Sequence, residues 1–597
     1  MTLNLHTVAT SYFDKLFGGD DKGKVLLVDK HTVPVISMCY TQTELLEHEV
    51  VLVETIDNVG SLAVMKNLNC VVYIKPTQES IGYLARELAR PHYGPHYRVF
   101  FSNCVSKPHL EKLAQADEFE VVDQVCEVFN DYLTVNDNLF SLGRRELSTL
   151  DESNHVISVL LALKQCPVIK YQTSSIELRR LASEIVYNIN SNSNNNLFDD
   201  ANPHSDRPPV LLLLDRKHDA ITPLLAPWTY QSMLHEYIGI EGNMVKVGDE
   251  AFTLSQHQDK FFSESMYLNY GDLTEKFQRY VEQYKSETQA TSLDNLRTQS
   301  LTELKKSLAK FPEFRKLSGN ILKHLALIGE LDRQIQVQDM WEIGELQQTL
   351  VGDLETQASL RPQMNTVLEN PQVSTVNKVK LILLYSVRFP DSHQDLGGFV
   401  QRLQDSQMTP EAPTMSQMTL IKRFATMFPH ASARSNTASQ ETGGITNLFT
   451  NKKLTFNSFF APKAQHNDNI YMQYVPQLHR LLAELISPQP AQQTTPQIHD
   501  YSTLVPDNLQ AKYGTQAAQL AGEVQNIIIY IRGGVTYEEA RLVHELSASN
   551  SGLNIVIGGD RLLNSDQWLD QMYDMVNSQA HATQPEVDRQ AALREIL

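Results

Sequence analysis

The sequence predicts an α/β plus α protein: two Rossmann-like parallel-sheet domains and a large, mainly helical domain inserted into the second. Three observations carry this reading. Short apolar runs alternate with helical stretches over residues 23–126; strand signals nearly vanish from about 251 to 486; and strands return only at Ile527–Ile531 and Leu553–Ile557.

In the first segment the predicted strands are Lys24–Val28, Val50–Val53, Cys70–Ile74 and Arg98–Phe101, with a helix at Ser80–Arg90. A second α/β unit starts near Ser153, with helices at Val156–Lys164 and Ile176–Ile189. Its strand Val210–Leu214 is continuously apolar after Pro208-Pro209, the pattern of a strand covered on both faces. Pro223 and Pro227 delay the returning helix to Trp228 or Thr229. One strong strand before the helical block and two after it make a complete sheet most simply if both segments contribute. The helical domain is then an insertion. The predicted boundaries are 1–134 for domain one, 135–250 with 490–597 for domain two, and 251–489 for domain three. The polar run 191–209 reads as a loop. Residues 432–444 and 487–497 read as disordered by composition, and the first is either a regulatory site or a plain surface loop.

A chain of 597 residues is too long for one core. A formal net charge of −19 argues against nucleic acid as a partner and against direct docking on an anionic membrane. Apolar runs such as Ile527–Ile531 are too short to span a bilayer, and no signal-peptide pattern opens the chain, so a cytoplasmic protein is expected. Cys39, Cys70, Cys104, Cys126 and Cys166 lack CxxC spacing and predict mostly buried free thiols rather than a disulfide framework or zinc site.

Enzyme motifs fail on inspection. Gly18–Lys24 spells G-x-x-x-x-G-K, but Val25 stands where a magnesium-binding hydroxyl belongs, a strand follows rather than precedes it, and Asp20-Asp21 would repel phosphate. Asp215 sits at a strand tip like the nucleophile of aspartyl phosphotransferases, yet Lys217 occupies the place of the second carboxylate. Asp215, Arg216 and Asp219 read instead as a structural charge cluster. The pairs Gly533-Gly534 and Gly558-Gly559 read as tight turns. No cofactor or metal is expected.

Two helical patterns carry information about binding. Leu110, Leu113 and Ala114 share one helix face, and Val122, Val125 and Cys126 repeat the spacing; periodicity alone favours two helices packed on their own sheet. Leu301, Leu304 and Leu308 begin a seam that continues, beyond Pro312, through Leu317, Ile321, Leu325 and Ile328, as in a hinged helical hairpin within 295–350 or as ordinary helix packing.

The window beginning at Asp215, D-R-x-x-D-x-x-T-P-L-L-x-x-W-T-Y-Q, resembles the domain-two signature of the SM family, the Sec-one/Munc-eighteen regulators of SNARE-driven membrane fusion. IKPTQESI at 74–81, SNCVSKPHLEKLAQAD at 102–117, HLALIGELD at 324–332 and IIIYIRGGVTYEE at 527–539 look like family segments in the expected order. The resemblance implies a three-domain arch that holds a syntaxin-type (Qa) SNARE in the cleft between domains one and three and templates SNARE assembly. It implies that Leu110, Leu113, Ala114, Val122, Val125 and Cys126 form a pocket for the syntaxin N-terminal peptide. It also implies that the 295–350 hairpin, hinged at Pro312, receives the vesicle SNARE through Leu301, Leu304, Leu308, Leu317, Ile321 and Leu325. Further expected partners are the assembled SNARE bundle and tethering factors. The protein is expected to be a monomer, recruited through SNAREs to trans-Golgi, endosome and vacuole membranes. The competing readings are an enzyme on the Rossmann-like domains and a rigid adaptor of a tethering complex that binds without accelerating assembly.

Overall fold

The computed structural model describes residues 3–18, 23–57, 62–143, 147–193, 197–198, 201–202, 207–290, 311–352, 355–405, 407–429, 470–486, 500–513, 524–550 and 552–578. They fall into two compact units. One comprises Met1–Arg216, Arg480–Val535 and Leu542–Leu562; the other comprises Lys217–His479, Thr536–Arg541 and Leu563–Leu597.

The first unit opens with α1 (Leu5–Phe17), β1 (Lys24–Val28), α2 (Val33–Cys39), α3 (Gln42–Glu47), β2 (Val50–Thr55), β3 (Asn69–Ile74), α4 (Gln78–Ala89), β4 (Tyr97–Phe101), α5 (Lys107–Ala116) and β5 (Val122–Glu127). All strand pairs are parallel, in the order β2-β1-β3-β4-β5. Both faces are covered. Val25, Leu27, Val72, Val99 and Phe101 join one core with Leu84 and Leu113 of the helices; Leu26, Val28, Tyr73 and Phe100 join another with Phe13 and Ile36. The four predicted strands are present. The fifth, Val122–Glu127, overturns the helix expected there.

Next come β6 (Leu133–Asn136), β7 (Leu139–Ser141), α6 (Thr149–Ala162), β8 (Val168–Gln172), α7 (Ile176–Ser193) and β9 (Val210–Asp215). They share a seven-stranded sheet, ordered β12-β8-β9-β13-β14-β7-β6, with β12 (Tyr501–Leu504), β13 (Asn526–Arg532) and β14 (Asn554–Gly559). β9 lies against β13, Val210 opposite Ile527 and Asp215 opposite Arg532, so segments far apart in sequence close one sheet around an insertion. The sequence reading missed β6, β7, β8 and β12, which are short strands of three to five residues or antiparallel edges. The predicted loop 191–209 is partly built into the fold. Asn202, at φ 57°, exchanges two hydrogen bonds with the backbone of Cys166 at 3.0 and 2.9 Å.

The second unit is mainly helical: α8 (Tyr230–Tyr237), the hairpin β10 (Met244–Val247) and β11 (Glu250–Thr253), α9 (Lys260–Ser265), α10 (Tyr270–Ala290), α11 (Phe311–Val337), α12 (Met340–Val351), α13 (Gln357–Glu369), α14 (Thr375–Arg388), α15 (His393–Gln404) and α16 (Met415–Met427). α8 starts where the prolines predicted, with Thr229 as its N-cap. Residues 432–444 and 487–497 lie outside the described residues.

Candidate partner-binding surfaces

α5 begins with Pro108 in its first turn, where a missing N–H costs nothing, and stops at Asp117. The Asp117 carboxylate accepts hydrogen bonds from Val121 N and Val122 N at 2.9 and 3.1 Å, turning the chain into β5. Leu113 is only 7% exposed and belongs to the core under the helix, whereas Leu110 is 37% exposed and Ala114 is open to solvent. In β5, Val122 lies opposite Tyr97, the register slips by one residue, and Val125 lies opposite Val99. That bulge puts two valines three residues apart on the α5 side of the sheet, an arrangement that resembles helical spacing in sequence. Cys126, opposite Phe100, packs against the core on the other face. Of the six residues expected to form one pocket, Leu113 is therefore core and Cys126 faces away. Leu110, Ala114, Val122 and Val125, the last 47% exposed, remain on the α5 side.

Phe119, exposed in the turn after α5, was not expected. A single aromatic in the acidic run ADEFE gives no periodic signal. Exposed Glu111, Glu118, Glu120, Asp123 and Glu127 lie along the same helix, turn and strand, with Lys107 and Lys112 the basic residues of α5. At the opposite edge of the sheet, β2 exposes Val51 and Val53, and α3 exposes Leu46, a second apolar strip that no sequence pattern singled out.

In α11 the buried stripe is Ile321, His324, Leu327, Ile328, Leu331 and Ile335. The seam expected through Ile321 and Leu325 is corrected: Leu325 is 56% exposed, beside Leu322 at 62%. His324 takes the inward place because both ring nitrogens find partners there. Nε2 lies 2.8 Å from Asp259 Oδ2 and Nδ1 lies 2.8 Å from the Tyr230 hydroxyl. A carboxylate only accepts, so Nε2–H donates to Asp259 and the Tyr230 O–H donates to Nδ1. Lys323 also pairs with Asp259 and donates to Thr253 O at 3.2 Å. Burial pushes the Asp259 carboxyl up, but His324 and Lys323 together outweigh it and hold it well below the usual carboxylate range. Burial pushes the His324 imidazole down, against the pull of Asp259. Pro312 is the second residue of α11; the side chain of Leu317, and Leu301, Leu304 and Leu308 altogether, lie outside the described residues.

The Sec1 family model matches residues 24–571. The chain belongs to the Sec1 family. Vacuolar protein sorting-associated protein 45 of Saccharomyces cerevisiae is 37% identical over 602 residues, covering 96% of this chain and 99% of that protein. The Homo sapiens protein of the same name is 30% identical over 592 residues, covering 96% of each chain. The solved SM protein Vps45 in complex with the Qa SNARE Tlg2 matches with a TM-score of 0.80 at 33% identity, over 96% of this chain and 98% of that one.

In this Sec1-family chain the residues of the Asp215 window make hydrogen bonds to other groups of the chain. The Ser175 hydroxyl donates to Asp215 at 2.9 Å, Arg216 Nε donates to Gly534 O at 3.0 Å, and Asp219 accepts from Thr222 N and Oγ1 at 3.1 and 2.6 Å. Strand order 2-1-3-4-5 places the usual ligand crevice of such sheets at the carboxyl ends of β1 and β3. The buried Asp29 lies there, accepting from His31 N and Thr32 N on one oxygen (3.0 and 2.9 Å) and from Lys75 N and Ser80 Oγ on the other (3.0 and 2.6 Å). Ser80 and Lys75 come from the IKPTQESI segment. Lys24, the lysine of the phosphate-loop pattern, donates its ammonium to Phe17 O. Gly558 and Gly559, expected in a tight turn, are instead the last two residues of strand β14, paired with both neighbouring strands; a Cβ on Gly558 would lie 2.5 Å from the Phe140 ring and one on Gly559 2.7 Å from Ile531 O, so close packing accounts for both residues.

Proposed function

We propose that the protein is a non-enzymatic SNARE chaperone that binds a syntaxin-type (Qa) SNARE and templates SNARE complex assembly in traffic among trans-Golgi, endosome and vacuole. The observation that carries the reading is the match, over 96% of the chain, to an SM protein solved in complex with a Qa SNARE. Asp29, buried at the carboxyl end of β1, is bonded by groups of its own chain, which supports a structural role for it rather than a catalytic one.

Two surfaces support separate contacts. Leu110, Ala114, Val122, Val125 and Phe119, among acidic side chains, suit a short basic peptide with one large apolar anchor, and this is the proposed seat of the syntaxin N-terminal peptide. Leu322 and Leu325 on α11 suit the apolar face of a vesicle-SNARE helix, with Pro312 as hinge of the longer element. A proline costs a continuous helix roughly 3 kcal/mol, so Pro312→Ala should favour an extended form and faster assembly. The protein works as a monomer and reaches membranes through its SNAREs.

A pull-down with a panel of SNARE cytosolic domains, followed by an assembly-rate assay with the captured set, tests the proposal. Capture with acceleration supports it. Capture without acceleration favours a tethering adaptor, and no capture contradicts both.

A further inference from the structure

The outward placement of Leu322 and Leu325 depends on α11 keeping one rotation about its own axis. Its apolar residues do not enforce that rotation: Ile321, Leu325 and Ile328 lie at 4, 3 spacing, and a seam through them would bury Leu325. The fold buries His324 instead.

We propose that the hydrogen-bond chain Tyr230–His324–Asp259 is the positioning device of α11, with His324 as the pin that holds Leu322 and Leu325 outward for a SNARE helix. His324 is 0% exposed and is the only polar side chain in the buried stripe Ile321, His324, Leu327, Ile328, Leu331 and Ile335. Its partners are fixed independently of α11. Asp259 caps α9 through Phe262 N at 3.0 Å, and Tyr230 is the first residue of α8 with its ring against Phe262 at 6.0 Å. Turning α11 to bury Leu325 would carry the imidazole from both contacts and leave a buried hydroxyl and a buried carboxylate short of a donor or acceptor. Such groups are costly because no water replaces the lost bond. Lys323, the next residue back, also pairs with Asp259. One helical turn thus carries the lock on its inner side and the apolar pair on its outer side. A buried polar contact that permits one registry of an otherwise permissive apolar interface is a known use of such groups in helical assemblies.

The inference rests on the SNARE-helix reading of Leu322 and Leu325, and the test keeps the two apart. The variant Tyr230→Phe/His324→Leu removes the chain without orphaning the hydroxyl. A nitroxide at Gly329→Cys, with Cys104 and Cys126 replaced by serine, reports rotation, because Gly329 faces open space. In the otherwise unchanged protein the label should be mobile. In the double variant an immobilised population should appear while circular dichroism keeps its helical signal, and affinity for a purified vesicle-SNARE helix should fall about tenfold as the competent rotation drops to about a tenth of the population. Unchanged label mobility and affinity in a folded double variant would overturn the pin. Leu322→Asp tests the underlying reading: wild-type SNARE-helix affinity there removes the docking face, whereas the label still decides the pin. Should the double variant not fold, Tyr230→Phe alone removes one arm of the chain. It should shift label and affinity in the same direction, and wild-type values for both would overturn the proposal.

Discussion

Gly344 lies so close beneath Trp228 that a Cβ on it would sit 2.6 Å from Cζ2 of the indole. Trp228 is buried and stacks on Trp341 of the same helix α12, ring centroids 4.8 Å apart and 25° from parallel. The glycine lets the helix approach the tryptophan of the W-T-Y-Q signature. Gly344→Ala gains about 1 kcal/mol of helix propensity but forces apart a packed aromatic cluster, which typically costs about 1–3 kcal/mol or more. A net loss in thermal stability is expected, measured by calorimetry.

Gly329 gives the opposite sign. It lies inside α11, and a Cβ added there would meet nothing within 4 Å, so Gly329→Ala should stabilise by about 0.5–1 kcal/mol through reduced chain entropy. Chemical denaturation of the two glycine variants side by side checks both signs.

For the α5–β5 surface, Leu110→Asp and Val125→Asp should leave the fold intact, because both side chains are substantially exposed. Each should weaken a syntaxin N-terminal peptide by roughly 10- to 100-fold, the equivalent of about 1.5–3 kcal/mol of lost apolar burial. Leu113→Arg should instead lower the melting temperature, since Leu113 is core. Titration of each folded variant with fluorescent peptide separates pocket from core.

His235 makes stability depend on pH. Burial pushes its pKa from 6.5 down to about 4, against a raising contribution from Gln567. The folded state therefore favours neutral imidazole. Its stabilising contribution is full above about pH 6.5 and is lost as pH falls towards 4, with a limiting slope near 1.4 kcal/mol per pH unit. His324, also pushed down by burial, acts in the same direction. Unfolding free energies at pH 7 and 5 should drop for the wild type, and the drop should shrink in His235→Gln.

Much of the fold was legible because long apolar runs and their spacing report burial. Val210–Leu214 and Ile527–Ile531 read as central strands and pair with each other. What escaped were features whose cause is tertiary. Val122 and Val125 mimic a helical repeat because a bulge, invisible in sequence, aligns them. Leu325 looked inward because apolar periodicity cannot anticipate that His324 has Asp259 and Tyr230 waiting across the interface. Asp29 carried no motif, yet five groups from two segments converge on it, counting the Thr32 hydroxyl.

The most direct measurement is the rate at which a Qa SNARE, its partner SNAREs and a vesicle SNARE assemble with and without the protein, followed by fluorescence transfer between labelled SNAREs. The account predicts that wild-type protein accelerates assembly, that Leu322→Asp/Leu325→Asp abolishes most of the gain while still capturing the Qa SNARE, and that Leu110→Asp slows assembly chiefly by weakening capture. Assembly at the same rate with and without the protein, while the Qa SNARE is demonstrably bound, would contradict it.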